Sequence, residues 1–373
     1  MYDALSTVCD QLGPAKVVLL RDPVAQLEAV VVIDNLAAGP AIGGVRMAPD
    51  VTVTEVARLA RAMTLKNLLA GLPHGGGKAG ILGDPLMPAA AKQQLLRAFA
   101  RAIVSLTEYI PGPDMGTDET CMAWIHDEIG RAVGLPEVLG GIPLDKVGAT
   151  GLGLAVSAEA AEAAGYLHLA GARVAVQGFG AVGRHAARFL TQRGAILIAG
   201  SDSRGATMNL DGLDPDRLAA FAATGASVGE FPGGTSILRD ELLWLDCDIL
   251  LPAARPDVLT AETVPRVSAR VVLQGANIPA TRAAEQLLHD RGILCIPDVV
   301  ANAGGVICAA VEHQRGTRMQ AFALIQEKLR ANTSEVLTAA KEAGILPREA
   351  AEAIATERLA EAQRYRRMFS ACR

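Results

Sequence analysis

No two cysteines of this chain are spaced as CxxC. The six stand at positions 9, 121, 247, 295, 308 and 372, and no histidine lies at metal-ligand spacing from them. Neither a zinc site nor a disulfide framework is indicated; no metal is expected, and the thiols should be reduced and mostly buried. No leader is expected either. Met1-Tyr2-Asp3-Ala4-Leu5 has neither the basic end nor the apolar core of a signal peptide, and no apolar run reaches the length that spans a bilayer. The expectation is a cytoplasmic protein with no membrane partner. Nor is there a basic footprint: a formal net charge of -5, with a fifth of the residues charged and half apolar, excludes nucleic acid as an obvious partner and fits an ordinary soluble enzyme.

What is present begins with length. A chain of 373 residues exceeds one ordinary core, so two domains are expected. The most informative stretch is Leu72-Pro73-His74-Gly75-Gly76-Gly77-Lys78-Ala79-Gly80, one lysine among glycines with nothing local to pair with. Glycine lets backbone approach a ligand closely, and a lysine enclosed in a cleft loses hydration, so its pKa falls and it can act as base or nucleophile. A P-loop would need glycine six residues earlier and Ser or Thr next; those places hold Leu72 and Ala79. The plain alternative is a glycine-rich surface turn with a solvated lysine.

Residues 17–20 and 27–33 read as strands of a first-domain sheet, followed by a Gly/Pro-punctuated loop from Asn35 to Pro49. From Thr52 to about Ala70 the apolar positions Val56, Leu59 and Met63 recur at helical spacing, and the next member of that stripe is Lys66. Such a lysine either snorkels out at the helix end or meets an anion in a cleft. A second amphipathic helix covers 89–106. Then Ile110-Pro111-Gly112-Pro113-Asp114 reads as a stiff turn ahead of a helix over 118–132, with Asp114 either a turn former or a site residue.

Beyond Gly148 strands and helices alternate. The apolar strand 172–177 runs into Gly178-Phe179-Gly180-Ala181-Val182-Gly183 and a helix over 181–193, and the next strand ends in Ser201-Asp202. A GxGxxG between strand and helix, with an acid nineteen residues after its last glycine, is the dinucleotide-binding arrangement: Gly178, Gly180, Ala181, Val182 and Gly183 would admit a pyrophosphate at the helix N-terminus, and Asp202 would bond the adenosine ribose. Further strands at 247–251, 270–274 and 293–296 complete a mostly parallel, doubly wound sheet. The expected architecture is α/β with two domains: an N-terminal substrate domain over 1–140, completed by tail helices from about 319 to 373, and a Rossmann-type NAD(P)-binding domain over 141–318.

With Gly43-Gly44-Val45-Arg46, Lys66-Asn67, the GGGK segment, Pro113-Asp114, the GxGxxG unit, Gly275-Ala276-Asn277 and Asn302-Ala303-Gly304-Gly305 in this order, nearly the whole chain resembles the glutamate/leucine/phenylalanine/valine dehydrogenase family. The resemblance implies reversible oxidative deamination of an L-amino acid to its 2-oxo acid and ammonia, in a homo-oligomer. Carried over residue by residue, Lys66 is similar to the lysine that binds the α-carboxylate, Lys78 to the catalytic lysine and Asp114 to the proton-shuttling aspartate. Gly43 and Gly44 would line the substrate floor. Thr150 would cap the helix starting at 151 and face the nicotinamide amide, and Asn277 and Asn302 would contact the nicotinamide end. Asp202 favours NAD over NADP, although Arg204 could meet a 2′-phosphate.

The departures concern the side-chain pocket. Glutamate-specific members place a lysine before the Gly-Gly pair, a serine seven residues after the Asn of NAGG and a polar group three before the carboxylate-binding lysine; here those places hold Ile42, Ala309 and Met63. An apolar pocket would strand a carboxylate unpaired, so an apolar side chain of the leucine, valine, phenylalanine or tryptophan type is expected. The alternatives are a glutamate dehydrogenase whose carboxylate is met by an arginine elsewhere, and an inactive NAD-binding regulatory protein. The joint presence of Lys66, Lys78 and Asp114 argues against the second.

Overall fold

The computed structural model describes residues 9, 10 and 12–365. The leader reading of residues 1–5 and the burial expected of Cys372 lie outside these. Contacts divide the chain into two compact units, one of 1–143, 306–321 and 353–373, the other of 144–305 and 322–352. The tail from 319 therefore does not return whole to the first domain as expected: 322–352 packs with the second unit, whereas the stretch from 306 belongs to the first. No helix among the described residues is long and apolar enough to cross a membrane.

The first unit is built on five strands, β1 (Lys16–Asp22), β2 (Leu27–Asn35), β3 (Ala41–Ala48), β4 (Gly75–Leu82) and β5 (Tyr109–Pro113), in the order β1-β2-β4-β3-β5. Pairs β1/β2 and β2/β4 are antiparallel, β3/β4 and β3/β5 parallel. Alternation along β2 assigns the two faces. Val31 and Ile33 join a core with Leu96 and Phe99 of the helix Ala89–Ala102 and Met122 and Ile125 of the helix Glu119–Ile129, whereas Val30 and Val32 pack with Val56, Ala57 and Ala60 of the helix Val53–Leu69. Lys78 sits opposite Val32 in the antiparallel pair and so shares the face of the helix Val53–Leu69.

Three readings of this region change. The stretch read as a loop from Asn35 to Pro49 contains β3, and the supposed stiff turn around Pro111 is β5; β3 pairs in parallel with both β4 and β5, and glycines and prolines conceal its signal. The glycines before Lys78 are consumed by packing rather than by a ligand. A Cβ at Gly75 would lie 1.8 Å from the Asn35 carbonyl oxygen, one at Gly76 would lie 2.1 Å from the Thr64 nitrogen, and one at Gly77 would press on the Tyr109 ring at 3.0 Å. Only glycine lets the helix, the neighbouring strand β2 and the Tyr109 ring approach β4 this closely.

The second unit holds a seven-stranded sheet in the order β12-β11-β10-β6-β7-β8-β9: β6 (Arg173–Gln177), β7 (Ile196–Ser201), β8 (Ala206–Met208), β9 (Thr235–Ile237), β10 (Ile249–Pro252), β11 (Val271–Leu273) and β12 (Leu294–Ile296). The five strands from β12 to β7 run parallel, as the alternating pattern predicts; β8 and β9 add an antiparallel edge. The chain winds from β6 outward through β7, then returns to β10 on the other side, so the topological switch lies between β6 and β10. Among the described cysteines, Cys121, Cys247, Cys295 and Cys308 are buried and Cys9 is exposed, all unbridged.

Candidate functional site

In the first unit three of the expected site residues, Lys78, Asp114 and Gly44, come together on one sheet face. Lys78, only 3% exposed, places its Nζ 3.0 Å from Asp114 Oδ2. Asp114 follows β5 and is held there by a short circuit of bonds: its N–H donates to Thr117 Oγ1, whose hydroxyl donates to the Val45 carbonyl at 2.7 Å. Gly116, with φ +83°, supplies the left-handed turn, and a side chain there would strike the Met47 carbonyl at 2.1 Å. Asp114 is thus no cap; the helix Glu119–Ile129 is capped by Asp118, which accepts from the Cys121 N–H.

Gly44 is where β3 must be bare. A Cβ there would lie 2.7 Å from Asp114 Cβ and 3.2 Å from Lys78 Nζ. Gly43 plays another part than the floor expected of it: its Cβ would point into β4, 1.6 Å from the Gly77 carbonyl oxygen, and its own carbonyl accepts from the Tyr109 hydroxyl at 2.8 Å. Lys66, 4% exposed, lies on the inner stripe of the helix Val53–Leu69, with Asn67 beside it donating to the Gly75 carbonyl. Ile42 is buried on β3 two residues before Gly44, Met63 is half-buried one turn before Lys66, and Ala309 is buried on the helix Gly304–His313. That helix is anchored in the first unit by Glu312, which accepts from the Gly134 and Leu135 N–H groups, and by His313, whose ring meets His74 edge-on at 5.5 Å.

One member of the site was not read from the sequence as a site residue. Arg46, buried on β3, donates from Nε to Asp114 Oδ2 at 2.8 Å and from Nη1 to Glu55 Oε1 at 2.5 Å. The signal available was its place two residues after Gly44, hence on the same face. Electrostatics follow from burial and from these contacts. Burial pushes the Lys78 ammonium down and Arg46 adds to that, outweighing Asp114 and Glu55. Burial would raise Asp114, but the charges of Lys78 and Arg46 and their hydrogen bonds hold its carboxyl below the usual range. The result is a carboxylate base beside a lysine disposed to lose its proton.

The second unit carries the dinucleotide fingerprint with each glycine in a distinct physical role. Gly178 takes φ +92°, and a Cβ would lie 2.8 Å from Ala254, just past β10 at the switch point. Gly180 faces open space, with nothing within 4 Å of a Cβ. Gly183 packs the helix Ala181–Thr191 on β6, its Cβ position 2.0 Å from the Gly178 carbonyl. That helix starts at Ala181 and Val182 without a side-chain cap, leaving its N-terminal amides to an anion. Asp202 is engaged within its own loop: Oδ1 accepts from Arg204 N–H, Gly205 N–H and Ser227 Oγ, and Oδ2 from Val228 N–H. Burial opposes ionisation, yet these bonds hold its carboxyl below the usual range.

At the other end of the fingerprint, Asn302 Nδ2 donates to the Gly275 and Ala276 carbonyls and to Asn277 Oδ1 at 3.1–3.2 Å, while its own Oδ1 is buried without a partner. Thr150 does not cap: the helix Ala149–Ala163 begins one residue earlier, behind Gly148 at φ +76°, and makes no side-chain cap bond. Its hydroxyl instead lies 2.9 Å from where a Gly305 Cβ would stand. Gly148 reverses the chain more tightly than a threonine cap would, which moves the helix start forward.

The residues of both units fit known proteins over nearly the whole chain. A family model described as Glu/Leu/Phe/Val dehydrogenase, dimerisation domain, matches residues 15–131, and one described as Glutamate/Leucine/Phenylalanine/Valine dehydrogenase matches 140–367. The chain is 39% identical over 356 residues to a glutamate dehydrogenase of Aeropyrum pernix, covering 89% of this chain and 85% of that protein. It is 40% identical over 291 residues to an NADP-specific glutamate dehydrogenase of Saccharolobus shibatae, covering 74% and 69%. Among solved structures, the hetero-hexameric glutamate dehydrogenase of Thermus thermophilus in its Leu-bound form is similar with a TM-score of 0.89 at 32% identity, over 99% of this chain and 95% of that one. The L-tryptophan dehydrogenase of Nostoc punctiforme is similar with a TM-score of 0.72 at 26% identity, over 97% and 99%.

Proposed function

The chain belongs to the glutamate/leucine/phenylalanine/valine dehydrogenase family, an oxidoreductase acting on an amino acid with NAD or NADP, and we propose that it deaminates L-glutamate to its 2-oxo acid and ammonia. The observation that carries the chemistry is the buried Lys78–Asp114 pair at 3.0 Å beside a β3 glycine whose Cβ would lie 2.7 Å from Asp114 Cβ. The choice of glutamate rests on the names of relatives 36–40% identical to this chain.

The cofactor, held by Gly178, Gly180, Ala181, Val182 and Gly183 at its pyrophosphate and by Thr150, Asn277 and Asn302 at its nicotinamide end, supplies the hydride acceptor when bound. Lys66 holds the α-carboxylate. Lys78, whose charged form burial disfavours, takes as the free amine a proton from the water that attacks the iminium carbon. Asp114 moves protons to and from the nitrogen, and ammonia departs as the carbonyl forms. Asp202 favours the unphosphorylated ribose, so NAD is the proposed cofactor. A homo-oligomer is proposed from the dimerisation domain matched over residues 15–131; the Thermus relative, a hetero-hexamer, supports an oligomer without deciding that its subunits are alike.

A second reading is favoured by one specific observation. Ile42 and Ala309 are buried, Met63 is half-buried, and none of the three can meet a side-chain carboxylate. If they line the side-chain pocket, an apolar L-amino acid is the substrate, since an unpaired carboxylate there costs more than about 1.4 kcal/mol, or tenfold. Cofactor reduction with glutamate, leucine, valine, phenylalanine and tryptophan in parallel decides. Glutamate first by tenfold or more sustains the proposal, and an apolar amino acid first replaces it. Lys78→Ala tests the chemistry: Asp114 remains paired with Arg46, so the protein should fold and bind cofactor while turnover falls by about 10² or more. Retention of over about a tenth of turnover removes Lys78 from its role.

A further inference from the structure

We infer that Arg46 is a positioning residue of the deamination site, which by taking the same Asp114 oxygen as Lys78 fixes the carboxylate and leaves its second oxygen for proton exchange. The inference rests on the reading of Lys78 and Asp114 as the proton-transfer pair. Its ground is geometric. Asp114 Oδ2 receives Arg46 Nε at 2.8 Å and Lys78 Nζ at 3.0 Å, so two cations converge on one oxygen. Arg46 is itself fixed from behind: its Nη1 donates to Glu55 of the helix Val53–Leu69, and its side chain is 5% exposed. A guanidinium anchored at both ends of its fork cannot follow Asp114 or retreat from it, whereas a lone lysine could.

The groups that face Lys78 come from every element around it. Asp114 follows β5, Arg46 stands on β3, and Glu55 stands on the helix Val53–Leu69 together with the buried Lys66. Tyr109 of β5 is buried too; burial and then the Asp114 charge push its phenol well up, so it stays neutral and simply donates to Gly43. Arg46 and Glu55 act on Lys78 with opposite sign, the first against its charged form and the second for it. A residue needed only for packing has no such signed effect, and this separates the two accounts.

The test is the pH dependence of kcat/KM for deamination of the L-amino acid that ranks first in the panel, measured in H2O and in D2O so that the limb of proton transfer is the one read. Activity rises toward alkaline pH as Lys78 loses its proton. In Arg46→Gln that rising limb should move up by about one pH unit, because a cation near Lys78 is gone and Asp114 is left to it alone. In Glu55→Gln the limb should move down by about half a unit. Arg46→Lys, which keeps the charge without the fork, should bring the limb back toward wild type while kcat stays reduced. Opposite displacements in the first two variants sustain the inference. A limb in Arg46→Gln that stays within about 0.2 unit of wild type, or moves down, overturns it. If Arg46→Gln does not fold, Arg46→Lys decides: a limb near wild type with kcat reduced about fivefold or more sustains it, and a wild-type kcat overturns it. Failure of the underlying reading looks different, since an active Lys78→Ala would remove the pair itself.

Discussion

Gly44→Ala offers a severe test of the catalytic geometry, because the added methyl has only one place to go. An ideal Cβ at this position lies 2.7 Å from Asp114 Cβ, 2.8 Å from the Pro113 carbonyl oxygen and 3.2 Å from Lys78 Nζ. Ordinary contact begins at 3.4 Å. The lysine end is flexible and can yield, but Asp114 is fixed by Thr117, by Arg46 and by the β3/β5 pairing, in which Gly44 faces Gly112. Relief therefore requires a displacement of about 0.7 Å at Asp114 in a packed interior. A misplacement of about 1 Å costs roughly 10²-fold in rate, so kcat for deamination should fall about 30- to 100-fold. The overpacking should cost about 1–3 kcal/mol of stability, which leaves the protein folded. The assay is steady-state deamination beside cofactor titration and a melting curve. Cofactor affinity should hold, because the GxGxxG residues belong to the other unit. A folded Gly44→Ala protein with more than about half of wild-type kcat would refute the argument that the Lys78–Asp114 spacing governs turnover.

Three further outcomes follow from the geometry. Gly180→Ala should melt like wild type, since nothing lies within 4 Å of the new methyl, yet raise the cofactor KM about tenfold or more by occupying the pyrophosphate side; an unchanged KM would take that surface out of the binding site. Asp202→Ala should narrow the preference between NAD and NADP and also loosen the loop it ties at Arg204, Gly205 and Val228, visible as raised KM for both cofactors; an unaltered ratio would remove it from discrimination. His74 is held below its ordinary 6.5 by burial, with His313 adding to this and the Pro40 carbonyl opposing it. Its folded pKa is depressed, so the stability it contributes is present above 6.5 and is lost as pH falls from there through the folded value. Wild-type melting temperature should drop between about pH 7.5 and about pH 5.5, and drop less in His74→Gln; equal drops would assign the loss to other groups.

How much of this was legible follows from which signals are local. The second unit was readable because a parallel βαβ sheet writes its strands as short apolar runs and its phosphate turn as fixed glycine spacing; β6, the helix Ala181–Thr191, β7 and β10 to β12 lie close to where periodicity placed them. Its edge strands β8 and β9 have three residues each, too short to show a period. The first unit was harder because two of its strands violate strand propensity. β4 begins with three glycines and is held by β2 and β3 on either side, whereas β5, at the sheet edge, reads Tyr-Ile-Pro-Gly-Pro and pairs with β3 alone; pairing supplies the stabilisation that the residues lack. The same glycines single out Lys78, but the packing revises the reason. Their bareness was read as room for a ligand, whereas it is room for Thr64, Asn35 and Tyr109, and Lys78 is buried because those groups come so near. Arg46 shows the converse. In sequence it is an arginine in a supposed loop, and only the parallel pairing of β3 with β5, a contact between residues some seventy positions apart, places it against Asp114. Chemistry carried by one local motif can be read from a chain, but a shared carboxylate oxygen belongs to three strands at once and exists only after they pair.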